Sequence, residues 1–349
     1  MSEQHALELI ERVRAKPARF RDAQITMAHG AGGKATLGLI EGLLAPAFGI
    51  PELADAAAVG ELAVTTDSFV VKPLRFPGGS IGELAVNGTV NDLAVAGAQP
   101  LALTLSLVLE EGLPAEELRI EIEAIARAAE AAGVDVVGGD TKVVERGHAD
   151  KMYVTTTGIG RVDGRARLSP AALQPGDRIL VSGPIGEHGT AIMLARGEFD
   201  LDADVESDTQ PLWPAVDALL DAAGPALRCL RDATRGGLAS VANELARASG
   251  VGILVREAEV PVSPAVTGAC EILGIDPMYV ANEGRLLAFV APDAAADALA
   301  ALRGVPGCEQ AAAIGDVTPD QPGLVLVETA IGGRRVMDLL VGDPLPRIC

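Results

Sequence analysis

Short apolar runs of strand character alternate along this chain with Ala-rich stretches of helical spacing, and that alternation narrows the fold before any motif is read. ELAVTT (61–66), LALTLSLVL (101–109), VDVVGG (134–139) and MYVTTTGIG (152–160) have the length and β-branched content of strands. IGELAVNGTVNDLAVAG (81–97) and AEELRIEIEAIARAAEAAG (115–133) repeat apolar residues at helical spacing, and the second closes on Gly133, a helix stop. After the turn-rich stretch 161–177 the alternation resumes. RILVSG (178–183), GILVR (252–256), LLAFV (286–290) and GLVLVE (323–328) read as strands, while 212–223, 236–250 and 296–304 read as helices. Strands are few per half and their connections uneven, so the expected class is α+β: two α/β sandwich domains rather than one long doubly wound sheet. The expected boundaries are an N-terminal extension at 1–22, domains at 23–165 and 166–340, and a tail at 341–349.

Composition sharpens this. Hydrophobic residues make up 49% of the 349 residues, yet there are only six Phe, two Tyr and one Trp, so Ala, Val, Leu and Ile must build the core. A net charge of −20 argues against nucleic acid or an anionic membrane surface as partner. Residues 1–20 carry charges throughout and lack the apolar stretch of a signal peptide, and 101–109 is half a membrane span, so the expected compartment is the cytoplasm. Cys229, Cys270 and Cys308 sit in apolar contexts that suit buried small hydrophobes in a reducing compartment. His5, His29, His148 and His188 show no ligand spacing, and each reads as a surface or hydrogen-bonding residue. No G-x-S-x-G elbow is present.

Three features could carry chemistry. His29-Gly30-Ala31-Gly32-Gly33-Lys34 is a glycine-rich turn before a helix, suited either to cradling phosphate with backbone N–H groups or simply to starting that helix. It fails the P-loop pattern, and 30–35 fits only the loose G-x-G-x-x-A fingerprint, with QITMA as the expected strand before it. Second, Asp67, Asp92, Asp140, Asp232 and Glu283 stand among small or strand-ending residues, Asp67 and Asp140 just after apolar strands and Asp92 inside an apolar helix. Convergent carboxylates of this kind suit Mg²⁺ bridging nucleotide phosphates, although most acids of so acidic a chain are solvated surface. Third, Cys349 ends the segment VGDPLPRIC (341–349), whose Pro344 and Pro346 predict an extended, exposed tail of roughly 30 Å reach. That thiol is either a mobile reactive group or an accidental terminal cysteine.

Together HGAGGK (29–34), TTDSFVVKPLRFPGG (65–79), GELAVNGTVNDLAVAGAQP (82–100), GGDTKVV (138–144), RDATRGGL (231–238), NEG (282–284) and PRIC (346–349) resemble the HypE family of hydrogenase maturation proteins. These are carbamoyl dehydratases of the PurM-like ATP-binding superfamily. GGDT and DATRGG mark the superfamily, and the PRIC terminus selects the family. Residues 1–20 match nothing in it.

The resemblance implies a PurM-like ATP-binding domain followed by a second PurM-like domain and a mobile tail. Cys349 receives a carbamoyl group from the carbamoyltransferase HypF, and ATP with Mg²⁺ drives dehydration to a thiocyanate. The cyano group then passes to iron on the HypC–HypD complex. It further implies Asp67, Asp92 and Asp140 as holders of Mg²⁺ and phosphates, with Gly32, Gly33, Lys34, Thr141 and Asp232 at the nucleotide. Lys142 and Glu283 are implied in proton handling, and the active species is a homodimer with ATP sites at the subunit interface. Ala31 replaces a serine that many members carry, which removes one hydroxyl contact but keeps the backbone cradle.

Other readings remain distinguishable. Aminoimidazole ribonucleotide synthetases and thiamine-monophosphate kinases need no terminal thiol, and selenophosphate synthetases carry a reactive residue near the N-terminus, where residues 1–60 here hold no cysteine. A scaffold or chaperone using only the Cys349 tail would leave nucleotide intact. A nicotinamide oxidoreductase would rest on 30–35 alone, and the acids at its expected offset, Glu52 and Asp55, read as an ordinary loop.

Overall fold

The computed structural model describes residues 20–50, 54–197, 203–342 and 347–349, so the charged segment 1–19 lies outside the described residues. The first sheet has five strands: β1 (Ala57–Val59), β2 (Leu62–Phe69), β5 (Ala98–Glu110), β6 (Asp135–Val144) and β7 (Met152–Val162), ordered β1-β2-β7-β5-β6. Between β2 and β5 lie a two-stranded ribbon, β3 (Arg75–Phe76) with β4 (Gly79–Ser80), and helix α2 (Ile81–Val95). Helix α1 begins at Lys34–Leu39 and continues through a π-helical turn, Ile40–Leu44, to Ala45–Phe48. β5 and β6 run parallel because α3 (Ala115–Ala132) carries the chain back between them.

α2 ties this layer to the rest. Ser80 caps it by accepting the Gly82 N–H at 3.1 Å, while its hydroxyl donates to Glu83 in the first turn. Every residue of the helix is buried except its two acids, Glu83 and Asp92. A helix apolar all round can only be a core element, and small residues let it approach its neighbours closely. A Cβ on Gly82 would lie 2.7 Å from the Glu121 carbonyl oxygen and 2.8 Å from the Ala124 Cβ of α3. On its far side Ala94 and Val95 pack with Leu212, Leu219, Leu230 and Leu286 of the second half.

The second sheet has seven strands: β8 (Arg178–Val181), β9 (Leu227–Asp232), β10 (Gly252–Arg256), β11 (Leu286–Val290), β12 (Ala312–Thr318), β13 (Val325–Glu328) and β14 (Arg334–Val336). Their order is β14-β13-β10-β12-β8-β11-β9. Helices α4 (Glu187–Ala195), α5 (Trp213–Ala223), α6 (Gly237–Ser249), α7 (Pro264–Leu273) and α8 (Ala295–Arg303) intervene. Leu287 and Phe289 of β11 pack on the α6 side with Leu238 and Leu245, whereas Leu286, Ala288 and Val290 pack on the α5 and α8 side. Both faces of β11 are covered, which is why LLAFV is apolar without alternation.

Some elements differ from the sequence expectation. β2 and β6 run past the predicted ends, so Asp67 and Asp140 lie within strands rather than after them. QITMA forms no strand: Met27–Gly30 is a 3-10 turn. β9, β12, α4 and α7 escaped the periodicity reading; the charges of Arg228, Arg231 and Asp232 mask β9. The terminus is also corrected. Ile348 and Cys349 are only 5% and 8% exposed and belong to a core cluster with Phe69, Phe76 and Val280.

β6 is different in kind. Nine of its ten residues are exposed, Val136, Val137 and Val143 among them, and its outer edge has no strand partner among the described residues.

Gly82→Ala forces a methyl group into a gap that does not exist, and overpacking of this sort costs about 1–3 kcal/mol. The melting temperature should therefore fall by several degrees with the fold retained; an unchanged melting curve would contradict the close α2–α3 approach.

Candidate active site

Three carboxylates meet where the two halves join. Asp92 comes from α2, Asp232 ends β9, and Asp55 lies just before β1; one oxygen from each falls within 4.8 Å of the others. The Thr65 hydroxyl of β2 stands 2.8 Å from both the Asp55 carbonyl and the Asp92 carboxylate. Arg231 pairs with Asp55. Burial, then the charge of Asp55, pushes Asp232 up to about 8 despite Arg231. Burial, followed by Asp232, Asp55 and Asp67, holds Asp92 well above the usual carboxylate range, and burial raises Asp55 as well. One guanidinium does not balance three enclosed acids. An all-oxygen donor set of this charge fits a hard divalent cation such as Mg²⁺.

Asp67 flanks the group from β2, 3.7 Å from Arg235, and burial raises its pKa against that cation's pull. Glu283 completes the acidic side. It is almost wholly buried, its backbone N–H donates to Asp208 Oδ1 at 3.1 Å, and its Oε1 has no hydrogen-bond partner. Burial, then Asp67, Asp232 and Asp208, raises its pKa well above its ordinary value. An orphaned carboxyl oxygen in such a place is unusual in a native structure and points to a missing partner.

The chain terminus reaches the same place. Cys349, with Met27, Gly30, Val70, Arg235 and Tyr279, lines a cavity of about 130 Å³. The Arg235 pKa is raised first by the negative charge at Cys349, then by Asp67, Glu283 and Asp92. Arg235 also donates to the Gly30 carbonyl at 3.0 Å, which fastens the glycine-rich turn over the cavity.

The remaining predicted residues divide into two groups. Gly32 and Gly33 line a larger cavity of about 970 Å³ with Thr36, Glu41, Arg231 and Arg247. In that turn the Gly32 N–H donates to Thr36 Oγ1 at 3.0 Å, the Lys34 N–H donates to the Leu340 carbonyl at 3.0 Å, and Lys34 Nζ pairs with Asp338 at 2.7 Å. Those three donors are therefore engaged within the chain. Asp140, Thr141 and Lys142 lie exposed on β6, with Lys142 Nζ 2.7 Å from Asp140, a contact that lowers the Asp140 pKa. Asp140 faces Ser106, Ser106 faces Thr155, and Thr155 faces Ser68. Three strand spacings of about 4.8 Å thus separate Asp140 from the neighbour of Asp67, roughly 14 Å. Within one chain the structure brings together Asp67, Asp92, Asp232, Glu283 and Cys349, and it leaves Asp140, Thr141 and Lys142 outside.

Within one chain the tight carboxylate group is Asp55, Asp92 and Asp232, so that of the expected set Asp67, Asp92 and Asp140 it holds Asp92 alone. Asp55, read as an ordinary loop residue, is a member because Arg231 of β9 draws it inward. Nothing near Asp55 in sequence signals this; its partners lie far along the chain. Arg235 and Asp208 were also missed, although Arg235 stands in the quoted DATRGG run.

The frame is that of the AIR synthase related proteins: residues 53–162 match their N-terminal domain and 174–327 their C-terminal domain. Carbamoyl dehydratase HypE of Rhodobacter capsulatus is 47% identical over 339 residues, covering 95% of this chain and 99% of that protein. A solved HypE–HypF complex contains a chain with TM-score 0.83 and 44% identity, covering 86% of this chain and 99% of that one. HypE solved in complex with ATP has TM-score 0.80 and 43% identity, covering 93% of this chain and 100% of that one. The chain belongs to the HypE family of carbamoyl dehydratases, enzymes of hydrogenase maturation. Among the described residues no helix is long and apolar enough to cross a membrane.

The raised carboxyl groups set a pH dependence. Folded Asp232 keeps its proton to about 8, whereas the unfolded chain releases it near 3.8. The folded state binds more protons between these values, so stability without metal or nucleotide should decline as pH rises from about 4 to about 8. Asp232→Asn should flatten that decline in thermal melts with chelator present; an unaltered slope would contradict the enclosure of Asp232.

Proposed function

We propose that Cys349 carries a carbamoyl group as a thiocarboxamide and that this chain converts it to a thiocyanate, using ATP and Mg²⁺ to remove the elements of water. The observation that carries this reading is the docking of Cys349 in the cavity lined by Arg235, whose charge also faces Asp67, Glu283 and Asp92. An amide oxygen cannot leave as hydroxide at neutral pH. In the proposed reaction that oxygen takes the γ-phosphoryl group of ATP, whose bond to the β-phosphate oxygen breaks to release ADP, as one N–H proton departs. The C–O bond then breaks to release phosphate as the second N–H proton departs, leaving S–C≡N.

Each part has residues suited to it. Asp55, Asp92 and Asp232 would hold Mg²⁺, with Asp67 at their flank; when bound, the cation neutralises phosphate charge and offsets the three acids. Arg235 holds negative charge at the terminal residue. Glu283, buried and with Oε1 unpaired, is suited to receive an amide proton as the carboxylate. Gly32 and Gly33, which line the larger cavity, and the neighbouring Lys34 would stand at the approach of the nucleotide.

We further propose that the active species is a homodimer joined along β6. Its support is a ten-residue exposed edge bearing Val136, Val137 and Val143, the kind of edge that monomeric proteins keep short or charged. Such pairing gives Asp140, Thr141 and Lys142 of one protomer a role in the site of its partner, which a single chain does not offer. HypF as carbamoyl donor, the HypC–HypD complex as cyanide acceptor, and the cytoplasm as location complete the reading.

Glu283→Gln keeps the side chain's size and removes its capacity as a base. The thiocarboxamide should still form, while its single-turnover loss of water slows by at least about a hundredfold, the usual scale of positioned proton transfer. Water loss at the wild-type rate would place Glu283 in the wrong role. Val137→Asp should convert dimer to monomer in sedimentation and weaken ATP binding; an undisturbed dimer would remove β6 from the interface.

A further inference from the structure

His188, in the first turn of α4, is wholly buried (0% exposed) and takes no part in the chemistry above. Both ring nitrogens are nonetheless engaged. Nε2 lies 2.7 Å from the carbonyl oxygen of Ile348, and Nδ1 lies 2.7 Å from the Ser207 hydroxyl. A carbonyl only accepts, so Nε2 carries the proton and Nδ1 accepts from Ser207. Ser207 Oγ in turn receives the Thr209 N–H at 3.2 Å, and the Ser207 N–H donates to the Pro77 carbonyl at 2.8 Å. Phe76 packs edge-on against the imidazole at 5.5 Å between ring centres. Burial pushes the His188 pKa down to about 4, so the ring is neutral and this order of donors is maintained near neutral pH.

The carbonyl that His188 grips belongs to the residue before the terminal cysteine. Around it the tail lies antiparallel to residues 70–72. The Val70 N–H donates to the Cys349 carbonyl at 3.1 Å and the Lys72 N–H to the Arg347 carbonyl at 3.2 Å, the antiparallel pattern in continuation of β2. Arg196 joins both sides, donating to the Lys72 carbonyl at 2.9 Å and the Arg347 carbonyl at 2.7 Å. Arg347 adopts a left-handed φ of 56°, a conformation that is strained for a non-glycine residue and persists only when the surroundings impose it. Its side chain secures the turn by reaching the Val70 carbonyl at 3.1 Å and Asp150 at 2.7 Å.

Paired backbone alone leaves such a segment able to slip or lift, because its register rests on two main-chain bonds. The imidazole supplies a buried, directional contact at the one carbonyl between them, and Ser207 keeps its proton on the correct nitrogen. We propose that His188 is a positioning residue of the reaction, whose Nε2–H, held in the donating tautomer by Ser207, grips the Ile348 carbonyl and keeps Cys349 seated beside Arg235 for dehydration. This rests on the reading of Cys349 as the carrier.

The test uses the full-length chain with His188→Leu, which fills the space without a donor, His188→Gln, which offers an amide N–H, and Ser207→Ala, which leaves Nδ1 without its donor. One arm follows alkylation of Cys349 by iodoacetamide, read on the C-terminal peptide by mass spectrometry, and needs no carbamoyl chemistry. The other follows single-turnover water loss from the carbamoylated protein with MgATP. His188→Leu should expose the thiol about tenfold or more, the expected scale for one buried hydrogen bond. It should also slow water loss to a similar extent, leave the ATP concentration for half-maximal rate unchanged, and be largely rescued in His188→Gln. Wild-type alkylation and water-loss rates in His188→Leu would overturn the proposal. Should His188→Leu fail to fold, wild-type rates in Ser207→Ala would overturn it equally. Failure of the wild-type protein to accept a carbamoyl group would instead sink the dehydratase reading, and the alkylation arm would still decide the role of His188.

Discussion

The burial of α2 is the constraint on which the rest of the structure depends. A helix enclosed on every side has no solvent face on which to place charge, so its two acids must be satisfied by specific partners. Glu83 is satisfied at the helix start by Ser80, with Arg127 near its other oxygen. Asp92 emerges near the other end, where β2 and β9 meet it with Thr65 and Asp232. The same helix sends Asn91 across to the second half, donating to the Gln210 and Glu283 carbonyls at 3.0 and 3.1 Å and accepting the Leu212 N–H at 2.7 Å. One packing decision thereby sets the depth of the carboxylate group, the position of Glu283 and the seam between the sheets.

That seam holds unfavourable electrostatics. Asp55, Asp92 and Asp232 press against one another in a largely enclosed site, with Asp67 and Glu283 close by. Grouping like charges is destabilising for the chain alone, and such a group persists because apolar packing around it is far larger in sum. A bound divalent cation would supply the counter-charge that this group lacks. The docked terminus follows the same logic, since Arg235 faces the acids and Cys349 at once.

The sequence disclosed the frame well and the site in part, for identifiable reasons. β10 and β11 begin and end where their apolar runs do, and α2, α3, α5 and α6 agree within a residue or two, because helical and strand periods are local properties. Asp92 was legible as an acid out of place in an apolar helix, and Asp232 and Glu283 through their motifs. Asp55 and Asp208 were not legible, since membership in the site follows from long-range packing that no local pattern encodes. The terminal segment shows the sharper lesson. Pro344 and Pro346, on which the expectation of an extended tail rests, lie outside the described residues; the isoleucine of PRIC is the local signal that the end has a buried seat.

The central claim, that the terminal thiol carries the group being dehydrated, is tested most directly by intact-protein mass spectrometry on the wild type and Cys349→Ala. Each would be incubated with carbamoyltransferase, its substrates and a non-hydrolysable ATP analogue, then chased with MgATP. The account predicts a gain of one carbamoyl group, followed by loss of one water only after the chase and only where Cys349 is present. No modification of the wild type by a demonstrably active transferase, or equal modification of Cys349→Ala, would contradict it.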